Sequence, residues 1–162
     1  MILLTTSGTE GFCDAFARTG LKLSLAESCT GGMIGCRITS ISGASSFFLG
    51  SAVTYSNESK EKILGVSHKS LMDHGAVSEA VAKEMAEGSL RIYGSDIAAS
   101  VTGIAGPNGG TPEKPVGTVW MAVTDGKRSI AYENHFEGSR DEIRELTSDI
   151  LMVRIIEFIG SR

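Results

Sequence analysis

The 162-residue chain is 41% hydrophobic and 21% charged, with a net charge of −4. That balance suits one globular domain over residues 1–162 and excludes a disordered chain. No apolar run approaches the ~20 residues of a membrane helix, and the N-terminus lacks the charged region and long apolar core of a signal peptide. A cytoplasmic protein with no membrane partner is expected, and the acidic balance disfavours nucleic acid as the main ligand.

Ser7 and Glu10 have the spacing of a capping box. Phe12, Cys13 and Phe16 supply an apolar stripe behind it, and Gly20 is placed to end the helix. Leu21, Leu23 and Leu25 then alternate with Lys22 and Ser24, which predicts a strand with one face in the core. Glu27-Ser28-Cys29-Thr30-Gly31-Gly32 follows as a strand-to-helix turn, and a helix is expected from about Thr30 to Thr39. Such turns border ligand crevices in open α/β sheets, and helix N-termini present N–H groups that suit an anion. An ordinary capped loop fits this stretch equally well.

Phe47 to Tyr55 reads as a mostly buried strand, with Gly50 as a bend or a point of close approach. Ser56 or Asn57 is placed to cap a short helix ending at Gly65. A second helical piece covers Ser67 to His74, and a longer helix runs from Ser78 to Gly94. Ile97 to Thr102 is a short buried strand, followed by the loop Gly103 to Pro115, long enough to suggest function or mobility. Val116–Thr124 and Ser129–Phe136 form a hairpin about Asp125-Gly126, and Ser139 with Glu142 opens the last helix with a capping box. About five strands and five or six helices, alternating until a late hairpin, imply an α/β domain with a mixed sheet covered on both sides.

Three strands end in polar turns, at Glu27-Ser28, Tyr55-Ser56-Asn57 and Thr102-Gly103. Parallel strands would place all three on one rim. No histidine stands by these serines, so a Ser-His-Asp triad is not suggested. Lys60 lies close by, and a lysine of depressed pKa can act as base to a serine. Lysines in S-N-E-S-K-E-K are equally at home in solvent. The glycines of the Gly103–Gly110 loop let backbone N–H groups approach an oxyanion, but their spacing fits no P-loop or dinucleotide fingerprint. Arg140 has the geometry to clamp a phosphate or to pair on the surface.

Cys13, Cys29 and Cys36 are odd in number without C-x-x-C spacing, and His68, His74 and His135 make no metal pattern with them. Neither a disulfide framework nor a metal site is implied. Cys29, at a helix start, has two readings: an activated thiol, or a small buried apolar residue.

The strings A-E-S-C-T-G-G, V-T-Y-S-N-E-S-K, H-G-A-V-S-E and T-G-I-A-G-P-N-G-G with K-P-V-G-T-V-W, in this order over roughly Leu21 to Met121, resemble the CinA C-terminal domain, or nicotinamide mononucleotide amidohydrolase, family. The resemblance implies a three-layer α/β/α domain that hydrolyses the carboxamide of nicotinamide mononucleotide to nicotinate mononucleotide and ammonia. It implies no metal or other cofactor. Longer members carry an additional N-terminal domain, and this chain resembles the stand-alone form. The family's functional positions fall on Ser28, Ser45, Tyr55, Lys60, Thr102 and Arg140.

The resemblance implies a Ser-Lys pair with Lys60 as its lysine and points to Ser45, in G-A-S-S, as the serine, with Ser28 kept beside it. If Phe47 to Tyr55 is one strand, its ends lie roughly 25–30 Å apart. Ser45 then stands far from Lys60 unless Gly50 bends the chain or a neighbouring subunit's site is reached, whereas Ser28 shares the rim. Tyr55 is expected to orient the lysine or relay a proton, with oxyanion donors from Gly31, Gly32 or Gly103. Arg140, Thr102 and the loop amides, Gly106 included, are expected to hold the phosphate. A homo-oligomer is the default for a small α/β enzyme. The rival expectation is a catalytically silent pyridine-nucleotide-binding or partner-docking module linked to competence and DNA damage.

Overall fold

The computed structural model describes residues 6–162. Helix α1 (Thr6–Ala17) leads into β1 (Leu23–Glu27), α2 (Met33–Thr39), a 3-10 turn (Ala44–Ser46) and β2 (Phe48–Val53). Three helices follow, α3 (Asn57–Leu64), α4 (His68–His74) and α5 (Glu79–Tyr93), and then β3 (Ile97–Gly103). The hairpin β4 (Thr118–Thr124) and β5 (Ser129–His135) precedes α6 (Arg140–Gly160). The proposed capping box at Ser7 involves a side chain outside the described residues.

The five strands form one mixed sheet in the order β2-β1-β3-β4-β5. β1 runs parallel to both β2 and β3, and β3, β4 and β5 are antiparallel in turn. One face packs against α1, α2 and α6 through Phe16, Ile34, Ile38, Leu151 and Ile155. The other carries α3, α4 and α5 through Leu64, Leu71, Val81 and Met85. This is the three-layer α/β/α arrangement that the alternating pattern implies. Each such side chain taken from water contributes roughly 1.5–3 kcal/mol.

Small residues set the spacing of the second layer. Ala82 and Ala86 of α5 meet Ala122 of β4, and a Cβ added to Gly88 would stand 2.1 Å from the Leu64 carbonyl oxygen. Hydroxyls stitch the same interface: Ser89 Oγ donates to Ser24 Oγ at 2.8 Å, and Ser100 Oγ donates to the Ala82 carbonyl at 2.5 Å. Across the sheet, Arg37 of α2 pairs with Asp149 of α6 at 2.6 Å and donates to Thr9 of α1 at 3.0 Å. That contact ties the three helices of the first layer together.

Two strands differ from expectation. β1 is buried on both faces, Ser24 and Glu27 included, because it lies between two parallel neighbours under helices on both sides. β2 is the edge strand, and only Ala52 of its six residues is buried. Strand order is a tertiary property, so an apolar run reads alike at centre and edge. Gly50 is a close approach: an added Cβ would stand 2.6 Å from the Tyr93 ring. Helix α2 starts at Met33 rather than Thr30, because Gly31 and Gly32 take positive φ values of 58° and 98° and extend the turn. Among the described residues no helix is long and apolar enough to cross a membrane.

Candidate functional site

The parallel pairing of β1 with β2 and β3 brings their C-terminal ends to one rim. Ser28 follows β1, Tyr55 follows β2 and Thr102-Gly103 ends β3. These residues line a cleft of ≈ 270 Å³ together with Lys60 and Arg140. The volume is close to the lower end of small-ligand sites, which run from about 300 to 1,000 Å³. A larger groove of ≈ 350 Å³ lies between α1 and α6, but apart from Glu157 its lining is apolar or glycine. It offers no nucleophile.

Lys60 enters the cleft through the register of α3. Ser56 and Ser59 form a capping box that fixes the start of this helix, and Gly65 ends it. The helix then turns Lys60 and Leu64, four residues apart, toward the sheet, while Lys62 pairs with Glu58 at the surface. Lys60 is 1% exposed. Its Nζ donates to the Thr54 carbonyl at 2.7 Å and to Ser28 Oγ at 2.9 Å. Burial disfavours the charged ammonium and pulls its pKa down to about 8. A buried amine near neutrality, touching a hydroxyl, is the arrangement of a general base and its nucleophile.

The other expected residues are placed less uniformly. Tyr55 is 63% exposed, and its OH accepts from Arg140 Nη2 at 2.9 Å. Arg140 Nη1 donates to the Gly106 carbonyl at 2.7 Å, so this arginine links the β2 rim to the glycine loop. Thr102 Oγ1 donates to the Ala76 carbonyl at 3.0 Å, tying β3 to the segment before α5. Ser45 lies in the exposed 3-10 turn before β2, at the end of the strand opposite Tyr55. Within one protomer Ser28, and not Ser45, meets the lysine. Cys29 is buried, and burial pushes its thiol up to about 11, so it is a neutral thiol at physiological pH.

The two turn glycines do not present free amides. Gly31 N–H donates to the Ser28 carbonyl at 3.0 Å, and Gly32 N–H donates to Glu27 Oε2 at 3.0 Å. The chain's own carboxylate occupies the place where an external anion was expected. Sequence reasoning placed Glu27 in the rim turn without a role, and did not name Arg144, which donates to the Cys29 and Thr30 carbonyls. Asn57, expected at the rim, does line the cleft, whereas Val77 of its lining was not named. A charged residue ending a buried strand was the available signal for Glu27. For Arg144 it was the four-residue step from Arg140 on one helix. Among the described residues no group of histidine, cysteine and carboxylate side chains is arranged to hold a metal.

Comparison with known proteins decides the relationship. The model of the family described as CinA C-terminal domain matches residues 6–159. The chain belongs to the CinA C-terminal domain family. A CinA-like protein of Geobacter metallireducens is 53% identical over 133 residues, which cover 82% of this chain and 32% of that protein. A CinA-like protein of Citrifermentans bemidjiense is 54% identical over 129 residues, 80% of this chain and 31% of that protein. The chain thus spans about a third of the length of these CinA relatives.

Solved structures agree on the fold. A competence-damaged protein (CinA) superfamily member from Klebsiella pneumoniae superposes with a TM-score of 0.93 at 32% identity, covering 97% of this chain and 98% of that one. The competence/damage inducible protein CihA from Agrobacterium tumefaciens gives a TM-score of 0.90 at 38% identity, covering 94% and 93%. The mixed five-stranded sheet is therefore the CinA superfamily fold.

Proposed function

We propose that this CinA C-terminal domain is a metal-independent amidohydrolase that converts nicotinamide mononucleotide to nicotinate mononucleotide and ammonia. The observation that carries the chemistry is the 2.9 Å contact between Ser28 Oγ and the buried Lys60 Nζ at the cleft. The substrate follows from the motif resemblance, and a cleft of this size with an arginine at its mouth is compatible with a phosphorylated nucleoside.

Neutral Lys60 accepts the Ser28 proton as Oγ attacks the carboxamide carbon, and a Ser–O–C bond forms. The oxyanion takes hydrogen bonds from groups on the cleft wall, which Asn57 and Gly103 help to line. Protonated Lys60 passes its proton to the departing nitrogen, the C–N bond breaks and ammonia leaves. Water, deprotonated by the same amine, then cleaves the ester and restores Ser28. Arg140 has five N–H donors and uses two on Tyr55 and Gly106, which leaves donors for the substrate phosphate.

The test is ammonia release and nicotinate mononucleotide formation by wild type and Lys60→Met. Activity in wild type and a loss of at least about 10³-fold in Lys60→Met support the reading. A folded wild type that binds the nucleotide without releasing ammonia overturns it and favours a silent binding module.

A further inference from the structure

The turn that carries Ser28 is held from two sides by opposite charges. On one side is Glu27, fully buried at the end of β1. Its Oε2 accepts from Thr30 Oγ1 at 2.6 Å, from Gly32 N–H at 3.0 Å and from Ile34 N–H at 3.2 Å. Its Oε1 accepts from Gly35 N–H at 3.0 Å and from Ser51 Oγ at 2.8 Å. Room for the carboxylate is built into the helix: a Cβ added at Gly35 would stand 3.4 Å from Oε1 and 3.3 Å from Ser51 Cβ.

On the other side is Arg144 of α6. Its Nε donates to the Cys29 carbonyl at 3.1 Å and its Nη2 to the Thr30 carbonyl at 2.9 Å. The amides of Gly32, Ile34 and Gly35 thus go to an anion and the carbonyls of Cys29 and Thr30 to a cation. Backbone groups left without partners in so buried a place would drive the turn to rearrange. Ser28 is the residue directly after Glu27 and directly before the two carbonyls that Arg144 holds.

We propose that Glu27 and Arg144 are positioning residues that clamp the Ser28–Gly32 turn and so keep Ser28 Oγ in register with Lys60 Nζ. The inference rests on reading Ser28 and Lys60 as the reacting pair. Neither residue touches substrate; both act through the serine. A displacement of Ser28 by about 1 Å is enough to cost roughly 10²-fold in rate.

The measurement is the rate at which phenylmethylsulfonyl fluoride labels Ser28, located by mass spectrometry, in wild type, Lys60→Met, Glu27→Gln, Arg144→Ala and Arg144→Lys. Oγ bonds to sulfur, fluoride leaves and Lys60 takes the proton, so the reaction reports the pair without the natural substrate. Each variant is compared below its own melting temperature, per folded molecule. The clamp predicts labelling slowed about 100-fold in Glu27→Gln and Arg144→Ala, with partial recovery in Arg144→Lys, which still offers one donor set to the carbonyls.

Labelling within about threefold of wild type in both Glu27→Gln and Arg144→Ala, even with lowered melting temperatures, reduces them to structural residues and overturns the proposal. A wild type whose Ser28 does not label, or labels equally in Lys60→Met, overturns it together with the pair. Ammonia release is followed alongside. Its absence with Lys60-dependent labelling intact overturns the substrate reading alone, and the labelling rates still decide the clamp.

Discussion

Ser28 and Lys60 are 32 residues apart in the chain, and their side chains meet at 2.9 Å. One follows an inner strand and the other lies one turn into a helix that starts after the edge strand beside it. The parallel pairing of β1 and β2 is what turns that separation into a contact.

The contact has a pH signature. The Lys60 amine is held down to about 8 by burial, and only its neutral form accepts the serine proton. We expect kcat/KM to rise about tenfold per pH unit below this value and to level off above it. Steady-state rates between pH 6 and 9.5 check this. A rate falling through pH 8 would assign the lysine to acid rather than base work.

The same burial affects stability with a defined sign. The folded value near 8 lies below the ordinary 10.5, so between these two pH values the unfolded chain binds more protons than the folded one. Stability therefore rises with pH across that window. Below it the buried ammonium is a constant liability. Lys60→Met removes the pH slope and is expected to raise Tm at pH 7 by roughly 3–6 °C, equivalent to roughly 1–2 kcal/mol after the two lost hydrogen bonds are discounted. Calorimetry at pH 7 and pH 10 measures both effects.

How much of this was readable in advance differs by residue. Ser28, Tyr55 and Thr102 were legible because strand ends are marked locally, by turn residues after apolar runs. Lys60 was nameable, but its burial was not. It depends on which face of α3 meets the sheet, and the Lys60–Leu64 step was the only local hint. The roles of Glu27 and Arg144 escaped because their partners are mainly backbone groups, and a backbone group leaves no letter in the sequence. The edge position of β2 and the double burial of β1 escaped for a related reason: strand order is set by packing across the whole domain.

Arg140 separates binding from chemistry. Its guanidinium, in the lining of the same cleft, donates to Tyr55 and the Gly106 carbonyl and bonds to neither Ser28 nor Lys60. Arg140→Ala should raise KM for the nucleotide by roughly 10–100-fold, the scale of one charge-assisted hydrogen-bonding group, with a smaller change in kcat. The dephosphorylated nucleoside should be processed alike by both proteins. An equal loss on both substrates would show that the arginine supports the loop and does not hold the phosphate.

Gly88 tests the tight layer under the site. An alanine usually strengthens a helix interior by about 1 kcal/mol, but here its Cβ would stand 2.1 Å from the Leu64 carbonyl oxygen, at the end of the helix that carries Lys60. Gly88→Ala should therefore destabilise, by roughly 1–3 kcal/mol, and lower activity as α3 is pushed outward. Denaturant melts with activity measured on the same samples check both parts. A stabilised Gly88→Ala would show that α3 and α5 separate freely.

The most direct test of the central claim sets the two serines against each other. Ammonia release from nicotinamide mononucleotide is measured for wild type, Ser28→Ala and Ser45→Ala at equal folded concentration. With Ser28 as the nucleophile beside Lys60, Ser28→Ala loses at least about 10³-fold in kcat while Ser45→Ala stays within about threefold of wild type. An inactive Ser45→Ala beside a working Ser28→Ala would contradict the account and move the nucleophile to the opposite end of β2.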